Sequence, residues 1–473
     1  MKILAAIRAF RFFLLSVMSA MLAMFTVSCD SDRMPAFSIS PAVTELQYSP
    51  DGKTIFSGTA QVGSDFAVST NQDDWSVELS EPDSWLSVKE NEGSFTLSAE
   101  VNIDMDGRGP ITLTVKSGNA DDIVIEVTQL GVSSTLPTLY FAGRYAVMSE
   151  DDQCAYLKDG ELGILGKSGD LNTVITGVAA GSSDIYLSGY VTEDGNVSGL
   201  YWKGAAKEYL LQDGNPAYPG NVFVSGSDSY VAGTDYYTSE ENGKELYDVV
   251  YWKNGSKNIL AKGMDVISQP DLVVSNIAVS GKDTHIVRLE SRSENGQGTR
   301  SLVYWKNDEM SVIEEGSQGL ISDFGIDMAV SGDDVYISGN LSAGGVNYGG
   351  YWKNGDFTRI QVEGNDVTVK AIDAEGKDVY IIGSYTDGTG NRNFLWKNGE
   401  VTIVKADPQV SGYSVEIYDV AVHDGRAFVS GVEGDFNIKK GNACYWIDGV
   451  TKVVVEVPLT AGIFIPEFVA VKK

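Results

Sequence analysis

One short sequence recurs along this chain of 473 residues and constrains its fold more than any other feature. In its consensus form the repeated segment consists of two aromatic residues followed by Lys, a turn residue and Gly, and in two copies Leu replaces one of the aromatic residues. Its seven copies read YLKDG, YWKGA, YWKNG, YWKND, YWKNG, LWKNG and YWIDG, and they begin at residues 156, 201, 251, 304, 351, 395 and 445. A period of this length, 44 to 53 residues, is typical of β-propeller blades or of a similar array.

Each repeat carries further strand-like segments around this motif. In the fifth unit they are MAVSG at 328, DVYISG at 334, YWKNG at 351 and DFTRI at 356. Alternation of apolar and polar residues predicts four short antiparallel strands, which we call a, b, c and d. The Asn-Gly and Asp-Gly pairs after strand c favour tight hairpin turns with positive φ.

The two ends of the repeat region indicate how the array closes. The first unit begins with strand b, LYFAG at 139, and has no strand a, whereas the chain ends with an unaccompanied strand a, FVAVKK at 468. Pairing the last strand with the first unit would leave no exposed sheet edge. The sequence therefore predicts a seven-bladed β-propeller over residues 139–473, closed by the C-terminal strand.

A different all-β domain is predicted over residues 36–131. Segments such as SFTLSAEVNI at 94 and DIVIEVTQLG at 122 alternate apolar and polar residues, and Asn, Asp, Gly and Pro separate them. Short strands with turn signals about every ten residues are typical of a β-sandwich. The polar segment VSSTLPT at 132–138 is the predicted linker to the propeller.

The sandwich region resembles a BACON domain. The residues that carry the resemblance are Asn71, Trp75, the WLSV of Trp85 to Val88, Asn102, Arg108 to Ile111 and the closing VTQLG of Val127 to Gly131. The resemblance implies a small immunoglobulin-like sandwich, of a family found mostly in exported proteins of Bacteroidetes and named for a proposed carbohydrate-binding role. Both tryptophans sit at inward positions of alternating strands, which predicts core anchors rather than sugar platforms.

The N-terminus has the layout of a secretory signal over residues 1–28. Lys2, Arg8 and Arg11 precede an apolar run, and Cys29 follows a small residue. The sequence TVSC resembles a bacterial lipobox, which implies that Cys29 is lipidated and that residues 29–35 form a tether. The alternative is an ordinary cleaved signal with an incidental cysteine. The acidic residues after Cys29 resemble the export tag of surface lipoproteins, so we expect a lipid anchor in the outer membrane, facing the cell surface or else the periplasm.

The charge of the chain excludes one class of partner. It contains 65 Asp and Glu against 35 Lys and Arg, a formal net charge of −30. Such a polyanion repels nucleic acid and anionic lipid head groups, so no nucleic-acid partner is expected.

Catalytic signatures are missing from the sequence. It contains no GxSxG, HExxH or strand-associated GxGxxG motif, and only two histidines, His285 and His423, which are too isolated to suggest a zinc site. We therefore predict no catalytic residue, no metal and no cofactor. Propeller glycosidases use a pair of carboxylates across a central pocket, and carboxylates are abundant here, so residue type alone does not exclude an enzyme.

Aromatic residues near the ends of the repeat strands are the candidate ligand-binding residues. They are expected in the b–c and d–a loops of one propeller face, where they could stack on sugar rings, and they are Tyr190, Tyr218, Tyr236, Tyr237, Tyr348, Tyr385 and Tyr413. The alternative is that each packs locally under its loop. The recurring Trp of the YWK motif is expected to pack between blades.

Cys154 and Cys444 remain if Cys29 is acylated, and both fall in strand c, of the first and last blades. A disulfide between them is chemically permitted in an oxidising compartment. Aligning the motifs points their side chains to opposite faces, which favours free thiols.

The function that these features favour is a non-catalytic, surface-displayed lipoprotein that binds a glycan or polysaccharide. A protein-interaction propeller that docks an outer-membrane partner is the alternative, with the sandwich acting only as a spacer. A carbohydrate-active enzyme is the third hypothesis.

The lipid anchor gives the first testable prediction. Replacing Cys29 by Ala should release the mature protein from membranes, because the acyl chains that hold it there would have no attachment site. Fractionation of cells that express each form measures this. Retention of Cys29→Ala in the membrane fraction would mean that the anchor lies elsewhere.

Overall fold

The computed structural model describes residues 34–472, with gaps. Residues outside the description within this range are 83, 103, 147–150, 169–172, 194–195, 211–215, 266–274, 295–296, 318–320, 407–412, 436–439 and 458–461. The predicted signal peptide (1–28), Cys29 and most of the tether therefore lie outside the described residues. Within the described ranges the chain forms strands and one short 3-10 helix, Val132–Thr135, which confirms the all-β prediction. No helix in these ranges has the length and apolar character that crossing a bilayer requires.

The chain divides into two compact units, with the boundary between Leu136 and Pro137. The first unit contains a four-stranded sheet, β1-β5-β8-β7, and a six-stranded sheet, β4-β3-β2-β10-β9-β6. Its strands are β1 (Phe37–Ser40), β2 (Glu45–Tyr48), β3 (Ile55–Ser57), β4 (Ala60–Val62), β5 (Asp65–Thr70), β6 (Ser76–Leu79), β7 (Leu86–Asn91), β8 (Ser94–Ala99), β9 (Arg108–Lys116) and β10 (Ile123–Gln129).

The two sheets of the first unit share one apolar core. Phe66 and Phe95 from the smaller sheet stack with their ring centroids 5.1 Å apart, and they belong to the same buried cluster as Ile111 and Val127 of the larger sheet. Trp75 and Trp85 are half-buried and pack against this cluster, as the sequence predicts. Their rings therefore contribute to the core.

Hydrogen bonds made by Gln129 explain the VTQLG motif at the end of this unit. The side-chain amide of Gln129 donates to the backbone oxygens of Ser49 and Glu100, at 3.0 and 2.9 Å, and its oxygen accepts from Nε of Arg108 at 2.9 Å. Asn102, also buried, donates to the backbone oxygen of Leu130 at 3.1 Å. These side chains satisfy buried backbone acceptors, so their role is structural.

The second unit is built from repeated four-stranded sheets. Its strands are β11 (Leu139–Ala146), β12 (Gln153–Lys158), β13 (Glu161–Lys167), β14 (Thr173–Ala180), β15 (Ile185–Glu193), β16 (Asn196–Lys203), β17 (Ala206–Tyr209), β18 (Ala217–Ser225), β19 (Asp228–Thr238), β20 (Glu245–Lys253), β21 (Ser256–Asp265), β22 (Ser275–Ser280), β23 (Asp283–Glu294), β24 (Gln297–Lys306), β25 (Glu309–Ser317), β26 (Asp327–Ser331), β27 (Asp334–Ala343), β28 (Val346–Lys353), β29 (Asp356–Arg359), β30 (Gln361–Val362), β31 (Asn365–Asp366), β32 (Thr368–Glu375), β33 (Asp378–Asp387), β34 (Gly390–Lys397), β35 (Glu400–Val404), β36 (Ser414–His423), β37 (Arg426–Asp435), β38 (Lys440–Ile447), β39 (Thr451–Val454) and β40 (Ile463–Val471).

In the described part of this unit there are seven four-stranded sheets and a small hairpin, β30-β31. We number the repeat sheets 1 to 7. Sheet 1 is β40-β11-β12-β13, and the others are β14 to β17, β18 to β21, β22 to β25, β26 to β29, β32 to β35 and β36 to β39. The first strand of each sheet contacts the first strand of the next in chain order, and β40 contacts both β36 and β14. These inner strands therefore form a closed circle.

The last strand joins the first repeat by regular antiparallel pairing. Leu139 lies opposite Val471, and Ala142 lies opposite Phe468. The pairing continues to Ala146 opposite Ile463 after a register shift. The C-terminal strand therefore occupies the inner position of sheet 1, as the sequence predicts.

In four of the seven sheets an Asp, a Lys and an Asn form the same set of contacts, which sheet 5 illustrates. Asn354 has φ of 51°, accepts the backbone N–H of Val335 at 2.9 Å and donates to Asp334 at 2.8 Å. Lys353 forms an ion pair with the same carboxylate at 2.7 Å, and its ammonium lies 5.2 Å from the ring centroid of Tyr336. The set of contacts recurs as Asp228, Lys253 and Asn254, as Asp283, Lys306 and Asn307, and as Asp378, Lys397 and Asn398. These contacts hold the turn between strands c and d against the first residues of strand b.

The repeated Trp and Gly are explained by close packing. Trp352 is buried, and it packs in a cluster that contains residues of sheets 4 and 5. A Cβ at Gly339 would lie 2.7 Å from its ring, and one at Gly431 would lie 2.9 Å from Trp446 and 2.2 Å from the backbone oxygen of Glu416. Strand b carries Gly at these two positions because Trp and the inner strand approach it so closely.

Closure by the last strand gives the second prediction. Deleting Phe468 to Lys473 removes the pairing of Phe468 to Val471 with β11 and the buried side chains of Val469 and Val471, and it leaves the pairs made by Ile463 to Ile465 in place. We expect the melting temperature to fall by on the order of 10 °C, because several kcal/mol of burial are lost. Differential scanning calorimetry of the full soluble chain measures the change.

The matched control is Lys472→Ala, because that residue uses its backbone N–H, not its side chain, to bond Thr138. Its melting temperature should stay within about 2 °C of the parent. An unchanged melting temperature in the deletion variant would contradict the closure.

Candidate ligand-binding cavity

The inner strands of the repeat sheets enclose a cavity of about 760 Å³. All seven inner strands contribute to its wall: β14, β18, β22, β26, β32, β36 and β40. The loop that precedes β26 and one residue of β15, Tyr190, complete the lining. A volume of this order is typical of sites for small organic ligands.

Bulges in the inner strands select which side chains line the cavity. The pairing of β32 shifts register between Val369 and Ala371, and that of β36 shifts between Ile417 and Asp419. Lys370 and Tyr418 are the residues left without a cross-strand partner at these shifts, and both line the cavity. A bulge re-aims a side chain that regular alternation would place elsewhere.

Three aspartates of the inner strands hold neighbouring sheets together. Asp327 accepts the backbone N–H of Met328 at 2.8 Å and that of Ile372, in the next inner strand, at 3.0 Å. Asp373 does the same with Ala374 and Val422, and Asp419 with Val420 and Val469, at 2.7 to 2.9 Å. Asp419 therefore bonds the closing strand directly.

Burial perturbs these carboxylates. It raises the pKa of Asp327 to about 6, against the bonds from the two backbone N–H groups. It also raises the pKa of Asp419 well above its usual range, with the charge of Asp327 adding to the effect. Both groups thus gain protons more readily than a surface aspartate.

Lys370 contributes a cation to the cavity wall. Its ammonium donates to the backbone oxygen of Ile417 at 2.8 Å and lies 5.8 Å from the ring centroid of Tyr418. Burial lowers the pKa of Lys370, and the charge of Glu416 opposes that effect. The hydroxyl of Tyr418 donates to Glu416 at 2.7 Å.

Glu467, a carboxylate of the cavity wall, forms an ion pair with Arg144. Glu467 of the closing strand lines the cavity and accepts from Nε of Arg144 at 2.6 Å. Asp152 lies 3.5 Å from the same guanidinium. Burial raises the pKa of Glu467, and Arg144 opposes that effect.

The structure brings three of the predicted ligand-binding tyrosines together. The ring centroids of Tyr190 and Tyr218 are 5.4 Å apart, and those of Tyr218 and Tyr236 are 5.3 Å apart. Tyr247 extends the row at 5.6 Å from Tyr236. Tyr190 and Tyr218 line the cavity, whereas Tyr236 is buried within the row.

The other predicted tyrosines lie apart from this row. The guanidinium of Arg359 covers the ring of Tyr348, 4.4 Å from its centroid. Tyr385 is buried and its hydroxyl donates to Glu363 at 3.1 Å. Tyr237 is half-buried, with its pKa raised by burial and by Asp248, and Tyr413 lies half-buried just before β36.

One expectation about these tyrosines is wrong. The sequence placed them in loops, but Tyr190, Tyr218, Tyr236, Tyr237, Tyr348 and Tyr385 lie in strands. The b–c hairpins continue their pairing beyond the repeated motif, so that Tyr190 lies opposite Gly199 and Tyr385 opposite Arg392. Local packing, the alternative left open above, describes Tyr236 and Tyr385 in this structure.

Phe324 lines the cavity and was missed by the sequence analysis. Its side chain is 51% exposed, while its backbone is fixed by a bond from the side chain of Asn340 to its oxygen at 2.8 Å. An aromatic residue between Ser-Asp and Gly, just before strand a, lies outside the strand alternation. Its position outside the strand pattern was the one sequence feature that could have marked Phe324 as a candidate ligand-binding residue.

Two other features of the repeat unit have structural explanations. Cys154 and Cys444 are buried free thiols, and burial raises their pKa values to about 11 and about 12. Glu375, His423 and Asp424 place ligand atoms within 4.8 Å of one another. However, the carboxylate of Glu375 already accepts the backbone N–H groups of Asp424 and Gly425 and so holds that turn.

Comparisons with known proteins show similarity at low identity. No protein-family model matches the sequence, and no curated protein matches it. Similar solved structures include propeller-type folds. A DUF4784 family protein from Bacteroides caccae is 10% identical, with a TM-score of 0.30, over 92% of this chain and 98% of that one.

Two enzymes also resemble the chain. A cobalt-substituted Synechocystis ACO is 9% identical, with a TM-score of 0.42, over 70% of this chain and 91% of that one. The acylaminoacyl peptidase of Pyrococcus horikoshii is 10% identical, with a TM-score of 0.41, over 70% of this chain and 53% of that one. The chain thus spans about half the length of the peptidase. Similarities at this level assign no activity to the chain.

The buried aspartates give the third prediction. Because the pKa of Asp327 is raised to about 6 in the folded state, the folded protein binds a proton that the unfolded chain releases between about pH 6 and pH 4. This group therefore adds stability as the pH falls through that window, and the gain is lost as the pH rises through 6. Urea unfolding of the parent and of Asp327→Asn at pH 4.5 and 7.0 measures the effect.

We expect the stability of the parent relative to Asp327→Asn to be greater at pH 4.5 than at pH 7.0, by about 1–2 kcal/mol. The exposed carboxylate of Asp356 supplies the control: the difference between parent and Asp356→Asn should change little between the two pH values. Equal differences at both pH values for Asp327→Asn would contradict the prediction.

Proposed function

We propose that the chain is an exported, lipid-anchored binding protein that takes a glycan in the central cavity of its repeat unit and does not transform it. The observation that carries the proposal is the composition of the cavity wall. Exposed Phe324 lies in the same wall as the half-buried Tyr218 and Tyr418, the buried Tyr190, Lys370 and several carboxylates. Aromatic faces beside polar groups suit the apolar faces and hydroxyls of a sugar ring.

The proposed architecture is a BACON-like immunoglobulin sandwich followed by a seven-bladed β-propeller. The seven four-stranded sheets among the described residues, the closed circle of inner strands and the pairing of β40 with β11 support the propeller. The parallel pairing of β2 with β10 and the shared core of two sheets support the sandwich. In chain order the sandwich lies between Cys29 and the propeller.

Binding without catalysis is favoured by the state of the cavity carboxylates. A glycoside hydrolase needs a free acid and a second carboxylate on either side of the scissile bond. Asp327 and Asp419 each accept two backbone N–H groups, and Glu467 is paired with Arg144. Asp373 likewise accepts two backbone N–H groups, so Asp323 is the remaining carboxylate of the wall among the described residues. A single remaining carboxylate does not supply the pair that glycoside hydrolysis needs.

The fourth prediction tests this function. The full soluble chain from Asp30 should bind a subset of polysaccharides in an array screen, and Phe324→Ala should weaken each hit by roughly three- to tenfold through loss of a stacking face. Isothermal titration calorimetry measures the affinities. Tyr209→Ala is a matched control, since Tyr209 is 50% exposed and does not line the cavity.

Two results would count against the proposal. Binding that Tyr209→Ala and Phe324→Ala weaken equally would place the site outside the cavity. Absence of any glycan ligand would leave docking to an outer-membrane protein as the better hypothesis.

A further inference from the structure

We propose that the cavity recognises an acidic glycan, one whose sugar ring carries a carboxylate, through the ammonium of Lys370 and the ring of Phe324, which line the same cavity. This inference rests on the proposed function and adds to it the chemical class of the ligand.

The ammonium of Lys370 has one hydrogen-bond acceptor among the described residues. An ammonium has three N–H donors, and the described residues provide one acceptor within hydrogen-bond distance, the neutral backbone oxygen of Ile417 at 2.8 Å. No carboxylate among the described residues lies within ion-pair distance of its Nζ. A half-buried cation in this position is incompletely compensated, which favours an incoming anion.

The other charged groups of the wall contrast with Lys370. Asp327 and Asp419 each have two backbone donors, and Glu467 has the guanidinium of Arg144. Lysines of the repeated motif, such as Lys353, are likewise paired with a carboxylate. Burial lowers the pKa of Lys370, the charge of Glu416 opposes that effect, and Oε2 of Glu416 accepts a hydrogen bond from the hydroxyl of Tyr418.

The side chain of Asn340 joins the backbone of Phe324 to that of Val369, the residue before Lys370. The buried side chain of Asn340 donates to the backbone oxygens of Phe324 and Val369, at 2.8 and 2.9 Å, and accepts the N–H of Val369 at 2.8 Å. Val369 is the residue before Lys370. One amide group therefore joins the backbone that carries the exposed ring to the backbone that carries the ammonium.

Gly325 tightens this junction. Its φ is 80°, and a Cβ there would lie 2.3 Å from the backbone oxygen of Val369 and 2.6 Å from Nδ2 of Asn340. The loop can approach β32 this closely because the position is Gly. The ring and the ammonium are thus presented by a preorganised piece of backbone, the arrangement that lowers the cost of binding.

A sugar acid matches this pair of groups. Its ring face can stack on Phe324, while its carboxylate accepts a charge-assisted hydrogen bond from Lys370, which is stronger than a neutral one. The side chain of Asp323, next to Phe324 in the cavity wall, is an acceptor for sugar hydroxyls.

The fifth prediction compares an acidic ligand with its neutral methyl ester. The probes are trigalacturonate and its methyl ester, titrated calorimetrically into the full soluble chain from Asp30. The parent protein should bind the acid at least tenfold more tightly than the ester, a difference of about 1.4 kcal/mol. Raising the salt concentration should weaken binding of the acid more than binding of the ester.

Variants locate the source of the preference. Lys370→Met should bring the affinities for acid and ester within about threefold of each other, and Lys370→Arg should restore most of the preference. Lys377→Met, at an exposed position in the same sheet, should leave the preference intact. The comparison of acid and ester in the parent protein needs no variant, so it stands even if Lys370→Met fails to fold.

The outcomes separate this inference from the proposed function. Equal binding of acid and ester by the parent, or a preference that persists in Lys370→Met, would overturn the inference. If neutral glycans bind in a manner that depends on Phe324, the proposed function would survive that result. Tighter binding of a sulfated sugar than of trigalacturonate would overturn the carboxylate assignment, and absence of all glycan binding would overturn both proposals.

Discussion

The pairing of β40 with β11 is the interaction on which the repeat unit depends. It brings the last nine-residue strand against the first strand of the array, so that every inner strand has a neighbour on both sides. Asp419 reinforces the junction through the N–H of Val469, and Asp327 and Asp373 make the same kind of bond at the two preceding junctions. The cavity exists because this circle is closed, and its carboxylates are part of the closure.

The repeated motif stabilises each sheet separately and leaves the inner strands free to differ. In four sheets an Asp, a Lys and an Asn act at the turn between strands c and d, and Trp packs against the Gly of strand b. Neither group reaches the cavity. The wall can therefore carry Asn276 in one inner strand, Asp327 in another and Glu467 in the last without disturbing the repeat.

Sheet 4 shows how the repeat tolerates a departure. Arg288 occupies the position of the strand b glycine, opposite Ser275 at the start of a short inner strand. Its fully buried guanidinium bonds Thr234 at 3.0 Å and lies 5.3 Å from the ring of Tyr247. The row of tyrosines that begins at the cavity thus ends on this arginine, which explains why Tyr236 and Tyr247 are packing residues here.

The sequence alone was sufficient for the all-β class, the four-strand unit and the place of the last strand, because turn chemistry, alternation and repeat spacing are local properties. It also identified the tryptophans as core residues from their alternation. Only the tertiary structure decided the cavity wall. A bulge shifts a strand by one residue and reverses which side chain faces inward, so Lys370 and Tyr418 could not be assigned from alternation. Burial of Tyr385 and engagement of the aspartates depend on residues from other parts of the fold. The link between the backbones of Phe324 and Val369, the residue before Lys370, depends on Asn340 of β27, which belongs to a different sheet from Lys370.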